Sequence, residues 1–279
     1  MDRLLSPLLL LVWMAAANGW SALGRAQTRQ PAQRQALVER ALANEYSAAQ
    51  DASHPMRYQL RKTSPHLTTT KEICETKDGD VAVLVGMNDK PLSTIDAQKE
   101  EARLNALVAD SGKQRRRKQA ESADTGRVLN VLRALPAAFV YQYAGSGEGT
   151  EGTVEKFSFK PNPGFTPPDL ETQILTAMSG EMWIDPVHLR VVRLEGHLLQ
   201  GVDFGWGILG HLNKGGWIVI EQADVGEGQW RTVHFQMAMS GRVVFKNRVF
   251  DTTEDQTKYA PVPSGLAYQK AIAMLRADP

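Results

Sequence analysis

From Phe139 onward, short runs of the chain alternate apolar and polar residues, and this alternation limits the fold more than any other feature. Runs of this kind are typical of half-buried β-strands, because neighbouring side chains of a strand point to opposite faces. The predicted strands cover about 139–143, 154–160, 180–185, 189–200, 216–223, 230–239 and 242–250. We therefore expect a β-rich second half, with an antiparallel meander from residue 180 to residue 250.

Segments rich in glycine and proline are the predicted connections between these strands. A glycine-rich turn is expected around 145–152, and a connecting arm at 161–168, where the prolines cannot donate backbone hydrogen bonds. Turns in the meander are predicted at Asp185–Pro186, Gly215–Gly216, Gly226–Gly228 and Ser240–Gly241. Short helical segments are predicted at 171–178 and after Ser264.

The first half of the chain combines one helix with three strands. Apolar residues at helical spacing predict an amphipathic helix over 31–50. Alternation predicts a strand at 56–63, followed by a hairpin with arms at 68–76 and 81–87. Asp78–Gly79 supplies the positive φ that its turn needs.

A long helical segment separates these strands from the later ones. Ser93 and Asp96 resemble a helix N-cap with its partner, and residues 95–109 contain no proline or glycine. A charged helical stretch is predicted to resume and to end at Pro136. We expect one domain over 27–279, with a helical insertion at about 93–135. The predicted class is α+β, mainly β: a large curved antiparallel sheet, or unclosed half-barrel, with helices packed over its concave face.

Residues 1–26 have the pattern of a secretory signal peptide. Two charged residues at the start precede the apolar run 8–17, and small residues follow it. The run is too short to span a bilayer as a helix, so we expect cleavage after Ala26 or after Gly24, with an uncleaved anchor as the alternative. The predicted location is therefore extracytoplasmic, either periplasmic or secreted.

Cys74 is the single cysteine of the chain. It lies too far from the apolar run to carry the lipid of a bacterial lipoprotein, and it cannot form an internal disulfide. Stability is therefore expected to come from a packed core, with Cys74 as a small buried strand residue.

Charge argues against a nucleic-acid partner. Removing residues 1–26 leaves 30 basic and 30 acidic residues, out of 32 and 31 in the full chain. The local excess of positive charge is the basic segment, defined as residues 113–118, in which Arg115, Arg116 and Arg117 are candidate contacts for a partner or a phospholipid headgroup. The alternative is a solvated helix face, because acidic residues follow closely and no aromatic residues are interleaved for base stacking.

Catalytic and metal-binding patterns are absent from the sequence. The six histidines are scattered, no zinc-ligand spacing occurs, and no nucleophile-elbow motif occurs. The tightest groupings are Asp185 with His188 and Glu195 with His197, which leave a hydrolase as a minor hypothesis. No cofactor or metal is predicted.

Apolar residues alternate on the late strands and predict one dry face. An ordinary filled core explains this face, and a concave wall around an acyl chain is the functional alternative. The segment 202–212 is expected either to form the rim of such a cavity or to fill the core. The candidate cavity-lining residues are Trp183, Trp217, Phe235, Met237 and Phe245.

One segment carries a resemblance to a known family. Gly180–Asp185, which reads Gly-Glu-Met-Trp-Ile-Asp, and the following strand 189–195 resemble the strand pair of outer-membrane lipoprotein-sorting proteins. Residues 93–250 also resemble uncharacterised secreted proteins of soil bacteria. The first resemblance implies an unclosed β-barrel, a helical lid and a hydrophobic cavity for acyl chains.

Two functions follow as hypotheses. The first is a non-enzymatic binding protein that holds a lipid or acylated ligand and does not span the membrane after signal cleavage. The alternative is an envelope structural or signalling module that binds a protein partner through a sheet edge or the basic segment and has no lipid cavity.

Overall fold

The structure is a computed structural model that describes residues 16–204, 210–243 and 246–277, with side chains from residue 30 onward. Four α-helices and one 3-10 helix lie in these residues. They are α1 Ala16–Ala48, α2 Thr94–Ala109, α3 Ser111–Ala138, the 3-10 helix Glu171–Ala177 and α4 Tyr268–Ala277. The predicted cap of α2 is confirmed, because Ser93 Oγ accepts a hydrogen bond from Asp96 N at 3.1 Å.

Thirteen strands of the described residues form one antiparallel sheet. They are β1 Met56–Ser64, β2 Leu67–Cys74, β3 Val81–Met87, β4 Lys90–Pro91, β5 Phe139–Gly149, β6 Gly152–Pro161, β7 Met178–Asp185, β8 Arg190–Leu198, β9 Val202–Phe204, β10 Gly210–Leu212, β11 Trp217–Asp224, β12 Trp230–Val243 and β13 Lys246–Pro261. Their order is β4-β3-β2-β1-β13-β12-β11-β8-β7-β6-β5, and the small β9–β10 pair adds to β12. The sheet is not closed. This confirms the predicted class, α+β and mainly β with an unclosed antiparallel sheet.

Pairing of β1 with β13 joins the two halves of the chain. Met56 lies opposite Pro261, and Thr63 lies opposite Thr253. The N-terminal hairpin and the C-terminal meander are therefore parts of the same sheet. The single-domain boundary at 27–279 stays a prediction.

Strand register defines two faces of the sheet. Direct partners across antiparallel strands lie on the same face. Met182, Leu194, Ile220 and Phe235 are successive partners across β7, β8, β11 and β12 and define the inner face. The outer face is the opposite one.

The main core lies between this inner face and the helices α1 and α3. Val38, Ala41 and Leu42 of α1 are buried at helical spacing, as the amphipathic pattern predicts. They pack in one cluster with Leu135 of α3 and Met182 of the sheet. At about 25 cal/mol per Å² of apolar surface, such burial dominates the stability of a domain without disulfides.

A second core packs α2 and α4 against β2 and β3. Leu104 of α2 and Ile272 of α4 are buried there together with Cys74. Burial raises the pKa of the Cys74 thiol to about 11, so the thiol stays protonated at neutral pH. The prediction of a buried strand cysteine is confirmed.

Helix α2 also protects the edge of the sheet at β3. β4 is two residues long and leaves most of this edge unpaired. Glu100 Oε1 accepts a hydrogen bond from Leu84 N at 2.8 Å, and Arg103 Nη2 donates to Ala82 O at 2.6 Å. These side chains take the place of a neighbouring strand and block edge-to-edge pairing.

One predicted turn is too long, and another is wrong. The segment 145–152 is mostly strand: β5 runs to Gly149 and β6 begins at Gly152, with Gly145 at a bulge where its φ is 117°. Gly241 pairs with Arg248 inside the hairpin of β12 and β13. A Cβ on Gly241 would lie 2.2 Å from His211 O, so glycine is needed there because β10 approaches closely.

Three element ends also differ from the sequence prediction. Helix α1 extends beyond the predicted 31–50 to Ala16, with Pro31 inside it. Helix α3 continues past Pro136 to Ala138, since a proline in the last turn removes only one hydrogen bond of the helix. Strand β13 continues past residue 250 to Pro261. Residues 1–15 of the predicted signal peptide lie outside the described residues.

The turn before β3 contains a carboxyl group with an unusual pKa. Burial raises the pKa of Asp80 to about 7, and the neighbouring carboxylates of Glu121 and Glu75 add to the increase. The folded state therefore binds a proton that the unfolded chain has already released, and stability falls as the pH rises through 7.

We expect Asp80→Asn to raise the free energy of unfolding at pH 8 by roughly 1–3 kcal/mol and to flatten its fall between pH 4 and 7. Urea denaturation at several pH values measures this. Glu148→Gln, which removes an exposed carboxylate on β5, is the control and should keep the fall in stability. If the free energy of unfolding of D80N follows the same pH dependence as that of the wild type, Asp80 is not buried as an uncompensated charge.

Candidate functional site

A cavity of 300 Å³ lies between α1, α3 and the inner face of the sheet. Its volume is at the lower end of the range that small-molecule sites occupy. Its wall is mainly apolar and comes from both helices and three strands. The apolar lining residues are Leu42, Ala48, Ala49, Val128, Leu132, Leu135, Val191, Leu194, Ile220 and Trp230.

One part of the lining is polar, and we call it the polar end. It consists of Glu45, Arg190, Gln222, Arg231 and Thr232. Apolar walls with a few placed polar groups are typical of ligand sites, because the apolar surface supplies affinity and the polar groups fix orientation.

Glu45 is the centre of this polar end. It lies on α1 within the buried stripe and is 8% exposed. Arg190 donates to it from Nε at 2.8 Å and from Nη2 at 2.9 Å, and Val191 N and Gln222 Nε2 donate at 2.9 Å each. Both carboxylate oxygens are thus fully engaged, which offsets the cost of burying the charge.

Arg231 is less completely engaged. Its Nη2 donates to His54 O at 2.6 Å and forms an ion pair with Glu75 Oε2 at 3.8 Å. Its Nε is buried and has no acceptor among the described residues. Trp230 beside it is 7% exposed, with the Arg190 guanidinium 5.9 Å from its ring centroid.

The structure separates the five predicted cavity residues. Phe235 and Met237 lie on the inner face, next to Ile220 and Ile218, although neither lines the cavity. Trp217 lies opposite Ala238 on the outer face, and Trp183 is also on the outer face. The prediction that these apolar residues share one dry face is therefore wrong, because the strand register places Trp183 and Trp217 on the outer face. Phe245 lies outside the described residues.

Trp183 packs between two cations on the outer face. Lys156 Nζ lies 3.9 Å from its ring centroid and Arg193 Cζ lies 5.5 Å away. Its Nε1 donates to Glu181 Oε2 at 3.3 Å. These cation–π contacts explain why an aromatic side chain lies on a solvated face.

A second cleft, of 580 Å³, lies on this outer face and contains one of the predicted acid–histidine pairs. Glu181 and Glu195 are direct partners across β7 and β8, and His197 Nε2 lies 3.0 Å from Glu195 Oε1. Hydrogen bonds from Arg193 and His197 hold the pKa of Glu195 below its usual value. A general acid needs the opposite shift, so this pair is suited to a surface ion-pair network.

The other predicted pair closes a turn. Asp185 Oδ1 accepts from Val187 N at 2.7 Å and from His188 N at 2.9 Å, and Oδ2 contacts the His188 ring at 2.8 Å. Burial alone raises the pKa of Asp185, but the hydrogen bonds from His188 and Val187 outweigh it and lower the pKa. These contacts stabilise the tight turn between β7 and β8.

The basic segment lies on the first half of α3. Arg117 Nη2 donates to Asp80 O at 3.5 Å, and Arg115 Nη1 donates to Ser111 Oγ at 3.0 Å. Within the described residues, Arg115, Arg116 and Lys113 form no ion pair, and all three are exposed. A surface cleft between α2 and α3 is lined by Lys113, Arg116, Arg117 and Arg103.

Both ends of the segment 202–212 pack into the main core. Val202 is buried in the main core, and Phe204 and Leu212 pack against it. Residues 205–209 lie outside the described residues, so the predicted cavity rim stays a prediction.

The described part of the chain has no group of three or more side chains placed to hold a metal ion. Among the same residues, no helix is both long and apolar enough to cross a membrane.

Comparison with protein families finds none that matches the chain, and comparison with curated proteins finds no match either. Among solved structures, the chain is similar to a crystal structure described as an outer membrane lipoprotein-sorting protein domain from Vibrio parahaemolyticus. The identity is 10%, the TM-score is 0.34, and the match covers 86% of this chain and 98% of that one. The description names the class of protein that Gly180–Asp185 resembles. With a TM-score this low, the likeness carries no weight for function.

Sequence reasoning missed the helical contributors to the cavity. The stripe on α1 predicted that this helix packs on an apolar surface, and Glu45 interrupts it one turn after Leu42. A charged residue within a buried stripe is the signal that could have indicated a polar contact beneath the helix.

We expect Glu45→Gln to lower the free energy of unfolding by about 3 kcal/mol, because it leaves the Arg190 charge buried without its counter-ion. The double variant E45M/R190M should recover most of this loss, since it removes both charges together. Urea denaturation of the three proteins measures the effect. A loss below about 0.5 kcal/mol for E45Q would show that the pair is solvated.

Proposed function

We propose that this chain is a non-catalytic extracytoplasmic protein that binds a lipid or acylated molecule in the cavity between α1, α3 and the sheet. The cavity itself supports the proposal most directly. Its apolar wall, with Leu132 on one side and Ile220 on the other, suits a hydrocarbon chain, and its polar end suits a headgroup. The predicted signal peptide supports the extracytoplasmic location.

The inner face offers room for contacts beyond the cavity. Phe235 and Met237 continue the row of Ile220 and Ile218 toward β13, so a longer chain that parts α3 from the sheet would reach them. Both are half-buried, and the unbranched methionine adapts to ligands of different shape. We include these two residues, and not Trp183 or Trp217, in the proposed binding surface.

The first test is native mass spectrometry of the protein purified from the envelope or culture fluid, followed by extraction and analysis of bound lipids. Leu132→Trp fills the cavity from α3, and we expect it to lower lipid occupancy at least tenfold. Val249→Trp is the control, because Val249 is 76% exposed on β13. Wild-type protein that carries no lipid and takes up none would contradict the proposal.

A second candidate function is a module that binds an anionic partner of the envelope through the basic segment. The exposed Lys113, Arg115 and Arg116 favour it, since no carboxylate of the described residues neutralises them. Cations without local partners are available to an anionic surface, where each contributes most at low salt.

We expect the double charge reversal R115E/R116E to reduce cross-linking of the protein to envelope components, and its binding to vesicles containing phosphatidylglycerol, about tenfold. Arg117 is left in place because it contacts Asp80 O. Lys246→Glu, on exposed β13, is the matched control. Unchanged binding in both assays would show that the basic segment is only a solvated helix face.

A further inference from the structure

The surface cleft between α2 and α3 has cations on both of its walls. Lys113, Arg116 and Arg117 line it from α3, at a spacing of three and four residues that places them on one face of the helix. Arg103 lines it from α2. The cleft has a volume of 460 Å³, and every charged residue that the structure places in its lining is a cation.

Two of these cations already have partners. Arg103 donates from Nε to Glu100 Oε2 and from Nη2 to Glu100 Oε1, both at 2.7 Å. Arg117 Nη2 donates to Asp80 O at 3.5 Å. Burial raises the pKa of Asp80, and the nearby Arg117 cation partly opposes this rise. Arg103 and Arg117 therefore hold the cleft in place and are partly neutralised.

Lys113 and Arg116 have no such partner. Both are exposed, and neither forms an ion pair or a side-chain hydrogen bond with any residue that the structure describes. Asp110, which precedes α3, accepts a hydrogen bond from Gly112 N at 2.9 Å and caps the helix. It forms no ion pair with either cation within the described residues. The unbalanced charge of the cleft therefore comes from Lys113 and Arg116.

We propose that this cleft binds a phosphate group, with Arg116 and Lys113 donating hydrogen bonds to its oxygens. This inference rests on the second candidate function and names the ligand chemistry and the residues of that site. A phosphate group presents oxygens in several directions, so cations from α2 and α3 meet it together, whereas a carboxylate presents two oxygens in one plane. A guanidinium matches two phosphate oxygens at once, and an ammonium adds a point charge.

The floor of the cleft has room for part of the molecule that carries the phosphate. Ala106 and the buried Leu107 supply apolar surface beside the cations. The headgroup of an anionic phospholipid and a soluble phosphate ester present the same chemistry to such a cleft. Soluble ligands and vesicles used in parallel separate these two sources.

NMR titration of the protein with glycerol 3-phosphate and with malate at pH 7 and low salt tests the ligand chemistry. The two ligands carry similar charge and differ in the geometry of their anionic groups. We expect the wild type to bind glycerol 3-phosphate at least about fivefold more tightly, because the cations lie on two walls. Equal affinity for the two ligands overturns the assignment of phosphate.

Arg116→Gln and Arg115→Gln are a matched pair, since the two residues are neighbours on α3 and both are exposed. Arg116 lines the cleft, whereas Arg115 does not and donates from Nη1 to Ser111 Oγ at 3.0 Å. We expect R116Q to weaken binding of glycerol 3-phosphate at least about fivefold and R115Q less than about twofold. Equal losses would show that the basic segment attracts anions as a diffuse patch, which overturns the cleft as the site.

Vesicles of phosphatidylcholine with and without phosphatidylglycerol identify the source of the phosphate. Binding that requires phosphatidylglycerol, that R116Q weakens and that glycerol 3-phosphate displaces supports a lipid headgroup. Binding of glycerol 3-phosphate without binding to either kind of vesicle supports a soluble phosphate ester.

The outcomes separate the inference from the second candidate function. Failure of glycerol 3-phosphate to bind, with vesicle binding that R115E/R116E still reduces, overturns the phosphate cleft and leaves the second candidate function intact. Failure of the soluble ligand and of both kinds of vesicle to bind overturns the phosphate cleft together with its membrane partner.

Discussion

The buried contact between Glu45 and Arg190 determines how α1 lies on the sheet, and the candidate site depends on it. Burying a carboxylate is costly unless the protein supplies full hydrogen bonding, and here four donors surround Glu45. These donors come from β8 and β11, so the position of the helix is fixed by directional bonds. Glu45 and Arg190 are both in the lining of the cavity, so the contact that positions α1 also forms part of the candidate site.

Helix α3 connects the two cores, and this explains why the helical insertion is long. In its first half, the buried Gln114 donates to Asp78 O at 3.1 Å and to Gly79 O at 3.0 Å, which anchors the turn between β2 and β3. In its second half, Leu132 and Leu135 line the cavity. A helix of 28 residues spans about 42 Å, enough to reach both ends. The charged surface between these ends is solvated, which accounts for the low apolar content that the sequence shows there.

Periodicity predicted the elements well, because it depends on local sequence. The stripe on α1, the cap at Ser93 and the strands of the meander all follow from residue spacing. It could not predict the faces, since alternation within one strand does not fix its phase relative to the next. Trp217 and Phe235 both belong to the apolar alternation of their strands. Trp217 nevertheless pairs with Ala238, and Phe235 pairs with Ile220, so the two aromatic side chains lie on opposite faces. A shift of one residue between neighbouring strands moves every side chain to the other face, and only long-range pairing decides it.

The glycines illustrate the same limit of sequence-based prediction, here for the backbone conformation. Ser240–Gly241 has the composition of a turn, but Gly241 is needed because His211 O would lie 2.2 Å from a Cβ there. Gly180 is required in the same way, since a Cβ would lie 1.8 Å from Glu195 O on β8. A glycine that serves a turn and a glycine that serves a close approach are identical in sequence. The cavity is a similar case: Arg231 and Glu45 are 186 residues apart in the chain, and only the folded sheet places them at one polar end. The chemistry of the site therefore depends on the register of the paired strands. The residue types alone could indicate only that an apolar surface exists.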